Sequence, residues 1–99
     1  MTRLADLVPK IRSKNAGPFW LTVDVFCGSD VVFRDVCARL ETGAVAAALG
    51  TEPDQVKRFD IAALNVVKLS VPRPQVQGTP SDRDMHGASF AILLGAIDL

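Results

Sequence analysis

The chain has little of almost everything that announces a chemistry. Its 99 residues include one histidine, two cysteines and one tryptophan, and eleven Lys and Arg are balanced by eleven Asp and Glu. That balance leaves no net positive field of the kind phosphate backbones require, so nucleic acid is not expected as a partner. A single histidine, without any Cys-x-x-Cys, does not make a zinc site. Cys27 and Cys37 are therefore expected as free, half-buried thiols rather than a disulfide. Apolar runs fall far short of the ~20 residues that span a bilayer. The N-terminus lacks a basic segment followed by an apolar stretch and a small-residue cleavage site. A cytoplasmic location without membrane contact is the expectation. The sequence contains no Gly-x-Ser-x-Gly elbow, phosphate loop or dinucleotide fingerprint, and no cofactor is expected.

What is present is an ordinary globular composition, 48% hydrophobic and 22% charged. It argues against disorder and predicts a single domain over residues 1–99. Chains of this size rarely enclose the roughly 300–1,000 Å³ pocket that small-molecule chemistry favours.

Thr2 to Lys10 carries Leu4, Leu7 and Val8, with Ile11 beyond, at helical spacing, Thr2 being a candidate N-cap. Arg12 to Pro18 reads as a loop. Leu21, Val23 and Val25 then alternate with Trp20, Thr22, Asp24 and Phe26, which predicts a strand with one apolar and one mixed face. Ser29 caps a predicted helix from Asp30 to Leu40, and Thr42 caps a second one ending at Leu49, with Gly50 suited to a left-handed stop. Val56 to Ile61 and Asn65 to Pro72 read as strands. The proline-rich stretch from Pro72 to Ser81 is a loop, Gly87 to Leu94 a short helix, and Ile97 to Leu99 the stub of a last strand.

This order predicts an α+β fold, a ferredoxin-like split βαβ sandwich with a four-stranded antiparallel sheet, a short last strand and helices on one face. The right-handed crossover rule sets the Trp20 and Val56 strands parallel, with the Asn65 strand between them and antiparallel to both. Helices then cover Val23, Val25, Val67, Leu69 and Val71. Trp20, Thr22, Asp24 and Lys68 are left on an open face, where an exposed tryptophan predicts a covering chain.

Polar side chains cluster around that face. Arg12 offers a planar fork for a carboxylate or phosphate, and Lys14 a point charge. Ser13, Asn15 and the backbone up to Gly17 either complete an anion-binding nest or merely close a turn. Arg73, fixed between two prolines, is expected close to Arg12, with either an anion between them or Asp82 or Asp84 as internal partner. Those two carboxylates are too few for a tight metal site and better suited to capping the last helix. His86 is a lone loop histidine.

Arg12-Ser-Lys-Asn-Ala-Gly-Pro-Phe19 followed by Leu21-Thr-x-Asp24, the Leu69 to Pro74 stretch, and Asp82-x-Asp84-x-x-Gly87 together resemble a small family. It is domain-of-unknown-function family 4387, whose members often accompany acyclic terpene utilisation (AtuA) proteins as neighbours or fusions. Arg12, Ser13 and Gly17 also match the opening loop of the ferredoxin-like domain that ends AtuA-type proteins, and Asn65 falls where that domain has an asparagine-bearing strand. An aromatic residue is expected where His86 stands. The resemblance implies a small accessory subunit whose larger partner is an AtuA-type protein, and a catabolic substrate that is an organic acid or acyl-CoA thioester. Two other readings stand beside it. One is a stand-alone lyase or hydratase using Arg12, Arg73 and Asp24; the other is a small-molecule sensor. Self-association as a two-fold dimer through the open face is the expectation for the chain alone.

Overall fold

Strict alternation along Trp20–Phe26 turns Leu21, Val23 and Val25 to one side, where each is fully buried, and it fixes the layout of the domain. The structure, a computed structural model, describes residues 2–73 and 89–99. A single turn of helix α1 (Leu4–Leu7) leads into strand β1 (Lys10–Asn15), and a tight turn joins it to β2 (Trp20–Phe26). Helices α2 (Asp30–Arg39) and α3 (Thr42–Leu49) carry the chain across to β3 (Lys57–Ile61). Strand β4 (Val66–Pro72) and helix α4 (Ser89–Gly95) complete the described elements.

The sheet order is β1-β2-β4-β3, and every neighbouring pair is antiparallel. Strands β2 and β3 are thus parallel, with β4 slotted between them as the crossover rule requires. The class is the expected α+β one, with a four-stranded antiparallel sheet and helices packed on one face. The strand order departs from the usual ferredoxin-like arrangement, because the edge beside β2 is filled from the N-terminal side. Ile97 to Leu99 does not join the sheet. Asp98 instead forms an isolated bridge with Arg3, and the Leu99 N–H donates to the carbonyl of Thr2 at 2.9 Å.

The reading of Arg12 to Pro18 as a loop is also corrected. Lys10 to Asn15 is a strand with alternating exposure, paired rung by rung from Lys10↔Phe26 to Asn15↔Leu21. Only Ile11 is apolar, so polarity hid a period of two that is nevertheless there. The true turn is short. The Ala16 N–H donates to the Trp20 carbonyl at 2.9 Å, and Gly17 takes the left-handed backbone (φ +84°) that the reversal needs.

The core is one cluster. Leu21, Val23, Val25, Val67, Leu69 and Val71 from the sheet meet Leu4, Phe33, Val36, Leu40, Val45, Leu49 and Leu94 from the helices. Helix α2 begins as expected, the Ser29 hydroxyl accepting the Val32 N–H at 3.2 Å. Thr42 is the first residue of α3 rather than its cap, a position held by Glu41, and Arg3 rather than Thr2 precedes α1. Gly50 ends α3 in the left-handed region, and Asn65 makes the same turn just before β4. Among the described residues no helix is long and apolar enough to cross a membrane.

Candidate functional site

Because every helix packs against the Leu21–Val25 side, the opposite side of the sheet is covered by no described element. Its composition follows from the strand registers. One rung aligns Lys10, Phe26, Val66 and Ile61 across the four strands. The next aligns Arg12, Asp24, Lys68 and Phe59, and the third Lys14, Thr22, Ser70 and Lys57. Trp20 and Pro72 close the row at the turn end. Lys10, Arg12, Lys14 and Lys57 are exposed and Lys68 is half-buried. Asp24 is the sole acidic strand residue on this side.

Two lysines are laid over aromatic rings. The Lys57 ammonium lies 4.9 Å from the centroid of Trp20, and that of Lys10 lies 5.6 Å from the centroid of Phe26. Such contacts draw the charge down onto the sheet. Among the described residues no such lid lies over Phe59, which is 52% exposed. Beneath the long side chains, Thr22 is only 8% exposed, and its Oγ1 has no hydrogen-bond partner among the described residues. The same holds for Oδ1 of Asp24, although Arg12 and Lys68 flank it on the neighbouring strands. The expected Asp24–Lys68 rung is therefore present as a register. It is not among the ion pairs of the described residues, which are Arg3–Asp6, Asp35–Arg39 and Arg58–Asp60.

The structure places Arg12, Lys14, Trp20, Thr22, Asp24 and Lys68 on one face, and separates Arg73 from them. Arg12 stands opposite Asp24, whereas Arg73 follows Pro72, which stands opposite Trp20. Four residues of strand, roughly 13 Å, separate those rungs. Arg73 also continues the inward series Leu69 and Val71, so its guanidinium serves the helix side, where its Nη1 donates to Asn15 Oδ1. Its backbone N–H donates to the Phe19 carbonyl at 2.8 Å. The expected closeness of Arg12 and Arg73 is corrected accordingly. It assumed that Arg12 sits at the end of a strand, and Arg12 is instead inside one.

Ser13 and Asn15 share that inward side. The Ser13 hydroxyl accepts the Ala91 N–H of α4 at 3.1 Å, which ties the edge strand to the last helix. Gly17 serves the turn. Asp82, Asp84 and His86 lie outside the described residues, as does Pro74. Among the described residues no group of three His, Cys, Asp or Glu could hold a metal ion.

Sequence reasoning missed Lys10, Lys57 and Phe59 on the open face. The signal was the alternation Lys10-x-Arg12-x-Lys14 around Ile11. It also missed Arg58, which points inward from β3 with its side chain 16% exposed. Arg58 pairs with Asp60 at 2.9 Å and donates to the carbonyls of Cys37 and Leu40 at the end of α2. The helix C-terminus so gains a cation where its dipole is negative.

Both thiols are free, and both titrate upward. Burial, followed by the neighbouring Cys37 and Asp60, pushes Cys27 from its ordinary 9.0 to about 11. Burial is also the first cause for Cys37. A thiol held protonated in this way is a poor nucleophile.

Two hollows border the sheet at its edges, touching the open-face rows only through Lys10 and Pro72. One of ≈ 370 Å³ runs between α1, β1 and α4, past Val8, Ile11 and Ile92. Another, of ≈ 280 Å³, has Thr51, Glu52, Gln55 and Arg73 in its wall.

A family model described as a domain of unknown function (DUF4387) matches residues 4–97. No curated protein matches the chain, and no solved structure does.

Proposed function

The chain belongs to the DUF4387 family of domains of unknown function, and from that premise we propose that it is an accessory subunit or interaction module whose open sheet face docks on a larger chain. The observation that carries this reading is the face itself. Trp20, Phe59, a ladder of cations and two polar atoms without partners among the described residues are gathered on the one side that the described helices leave bare. Aromatic and arginine side chains dominate association energies when a partner desolvates them.

The resemblance of Arg12 to Phe19 and of Leu69 to Pro74 to the companions of AtuA-type proteins supports an AtuA-type protein as the larger chain. In this reading the pair acts together on an organic acid or acyl-CoA thioester, and the chain is not catalytic by itself. A stand-alone lyase or hydratase built on Arg12, Arg73 and Asp24 is the weaker reading, since Arg73 and the other two serve opposite sides of the sheet. Co-expression with an AtuA-type protein, followed by size-exclusion chromatography, tests the proposal. One complex containing both chains is the expected result. Turnover of a hydroxyacyl or enoyl thioester by the purified chain alone would overturn it.

A further inference from the structure

We infer that the surface this face accepts is an acidic protein surface, with carboxylates arranged around an apolar spot that meets Phe59; the inference rests on the interaction-module reading above. Lys10, Arg12 and Lys14 are successive outward side chains of one strand, spaced by roughly 6.6 Å, the repeat of a pleated strand. Lys57 and Lys68 extend the field across the sheet, and among the described strand residues Asp24 alone opposes it. The whole chain is neutral, with eleven cations and eleven carboxylates, so the cations of this face are not the local sample of a generally basic protein. Among the described residues this face is the cationic side. A complementary potential both steers an acidic partner in and rejects wrong ones.

Two other occupants fit less well. A second copy docked through the same face brings two surfaces together that each carry Lys10, Arg12, Lys14, Lys57 and Lys68 against Asp24, so like charge meets like charge whichever two-fold axis relates them. This argues against the two-fold dimer expected from the sequence. A single nucleic acid strand would need bare rings for its bases to stack upon. Here Lys57 lies over Trp20 and Lys10 over Phe26, which leaves Phe59 as the one bare ring among the described residues of this face, and Asp24 stands among the cations a phosphate chain would follow.

The full chain is titrated with poly-L-glutamate and, separately, with an oligodeoxythymidylate, following emission from Trp20. Lys14→Glu is compared with Arg34→Glu, an exposed position on α2 that changes net charge equally. The expected result is saturable binding of poly-L-glutamate that weakens at least about tenfold between low and physiological salt, as exposed charge pairs do. Lys14→Glu should weaken it by about fivefold or more, and Arg34→Glu by less than about twofold. Tighter binding of the oligonucleotide, equal effects of the two variants, or head-to-tail self-association that blocks the titration would each overturn the inference. The module reading fails separately. A complex with an AtuA-type protein that is indifferent to Lys14→Glu sinks the acidic-surface inference and leaves the module standing. Binding of poly-L-glutamate without any such complex does the reverse.

Discussion

Lys57 reaches from the edge strand β3 across β4 to hold its ammonium 4.9 Å from the centre of the Trp20 ring on β2. Three strands are linked by one contact, and the tryptophan is half-covered without the help of another chain. Replacing Lys57 by Gln should remove about 0.5–1 kcal/mol of stability, as expected for a cation over an exposed ring. It should also shift the emission of Trp20, the sole tryptophan of the chain. Urea unfolding followed by fluorescence reads both effects. Unchanged emission would mean that the lysine does not rest there.

Arg58 is the inward cation whose loss should be felt most. Arg58→Met keeps the stem but abandons the Cys37 and Leu40 carbonyls and the Asp60 carboxylate. Leaving such acceptors without a charged donor costs about 1.5–3 kcal/mol. The urea midpoint should fall with the slope unchanged. A parent-like midpoint would show that the end of α2 finds other partners.

Gly28 and Gly17 both have left-handed backbones, at φ +82° and +84°. A Cβ at Gly28 would lie 3.0 Å from Cγ of Pro9, whereas one at Gly17 would meet nothing within 4 Å. Gly17→Ala should cost about 1–2 kcal/mol, from conformation alone. Gly28→Ala should cost more, because the ring of Pro9 must also move. Equal melting points for the two variants would contradict the close approach of Pro9 to this turn.

Cys27 supplies a pH dependence with a definite sign. Its folded pKa, about 11, lies above the ordinary 9.0, so the folded chain holds the proton longer than the unfolded one. The stability linked to it is fully present below pH 9 and is lost as the pH rises through about 11. The stability difference between the parent and Cys27→Ala, which cancels the titration of the lysines, should be flat from neutrality to pH 9 and fall beyond. A difference that stays flat through pH 11 would show that the thiol is not desolvated in the fold.

The legible part of the fold was the part governed by apolar alternation. Val23, Val25, Val67, Leu69 and Val71 marked β2 and β4 as the buried centre, and Ser29 marked the start of α2. The open face followed, because Trp20, Thr22, Asp24 and Lys68 are the other half of the same alternation. Strand β1 escaped because an edge strand with one open face needs only a single apolar residue, here Ile11. Ile97 to Leu99 looked equally able to fill that edge. A hairpin closing over Gly17 brings β1 to β2 with far less loop entropy than a segment some seventy residues away. The misplaced edge then carried Arg12 away from Arg73, and with it the notion of a shared anion site.

The central claim is that the face bearing Trp20 and Arg12 is where a larger chain docks. Calorimetric affinity of an AtuA-type protein for the parent, Trp20→Ala, Arg12→Ala and the α2 variant Arg34→Glu tests it directly. The account predicts that Trp20→Ala loses about 2 kcal/mol or more, roughly thirtyfold in affinity. Arg12→Ala should weaken binding, and Arg34→Glu should bind like the parent, all four remaining folded by circular dichroism. Parent-like affinity for both open-face variants, each folded, would contradict the claim.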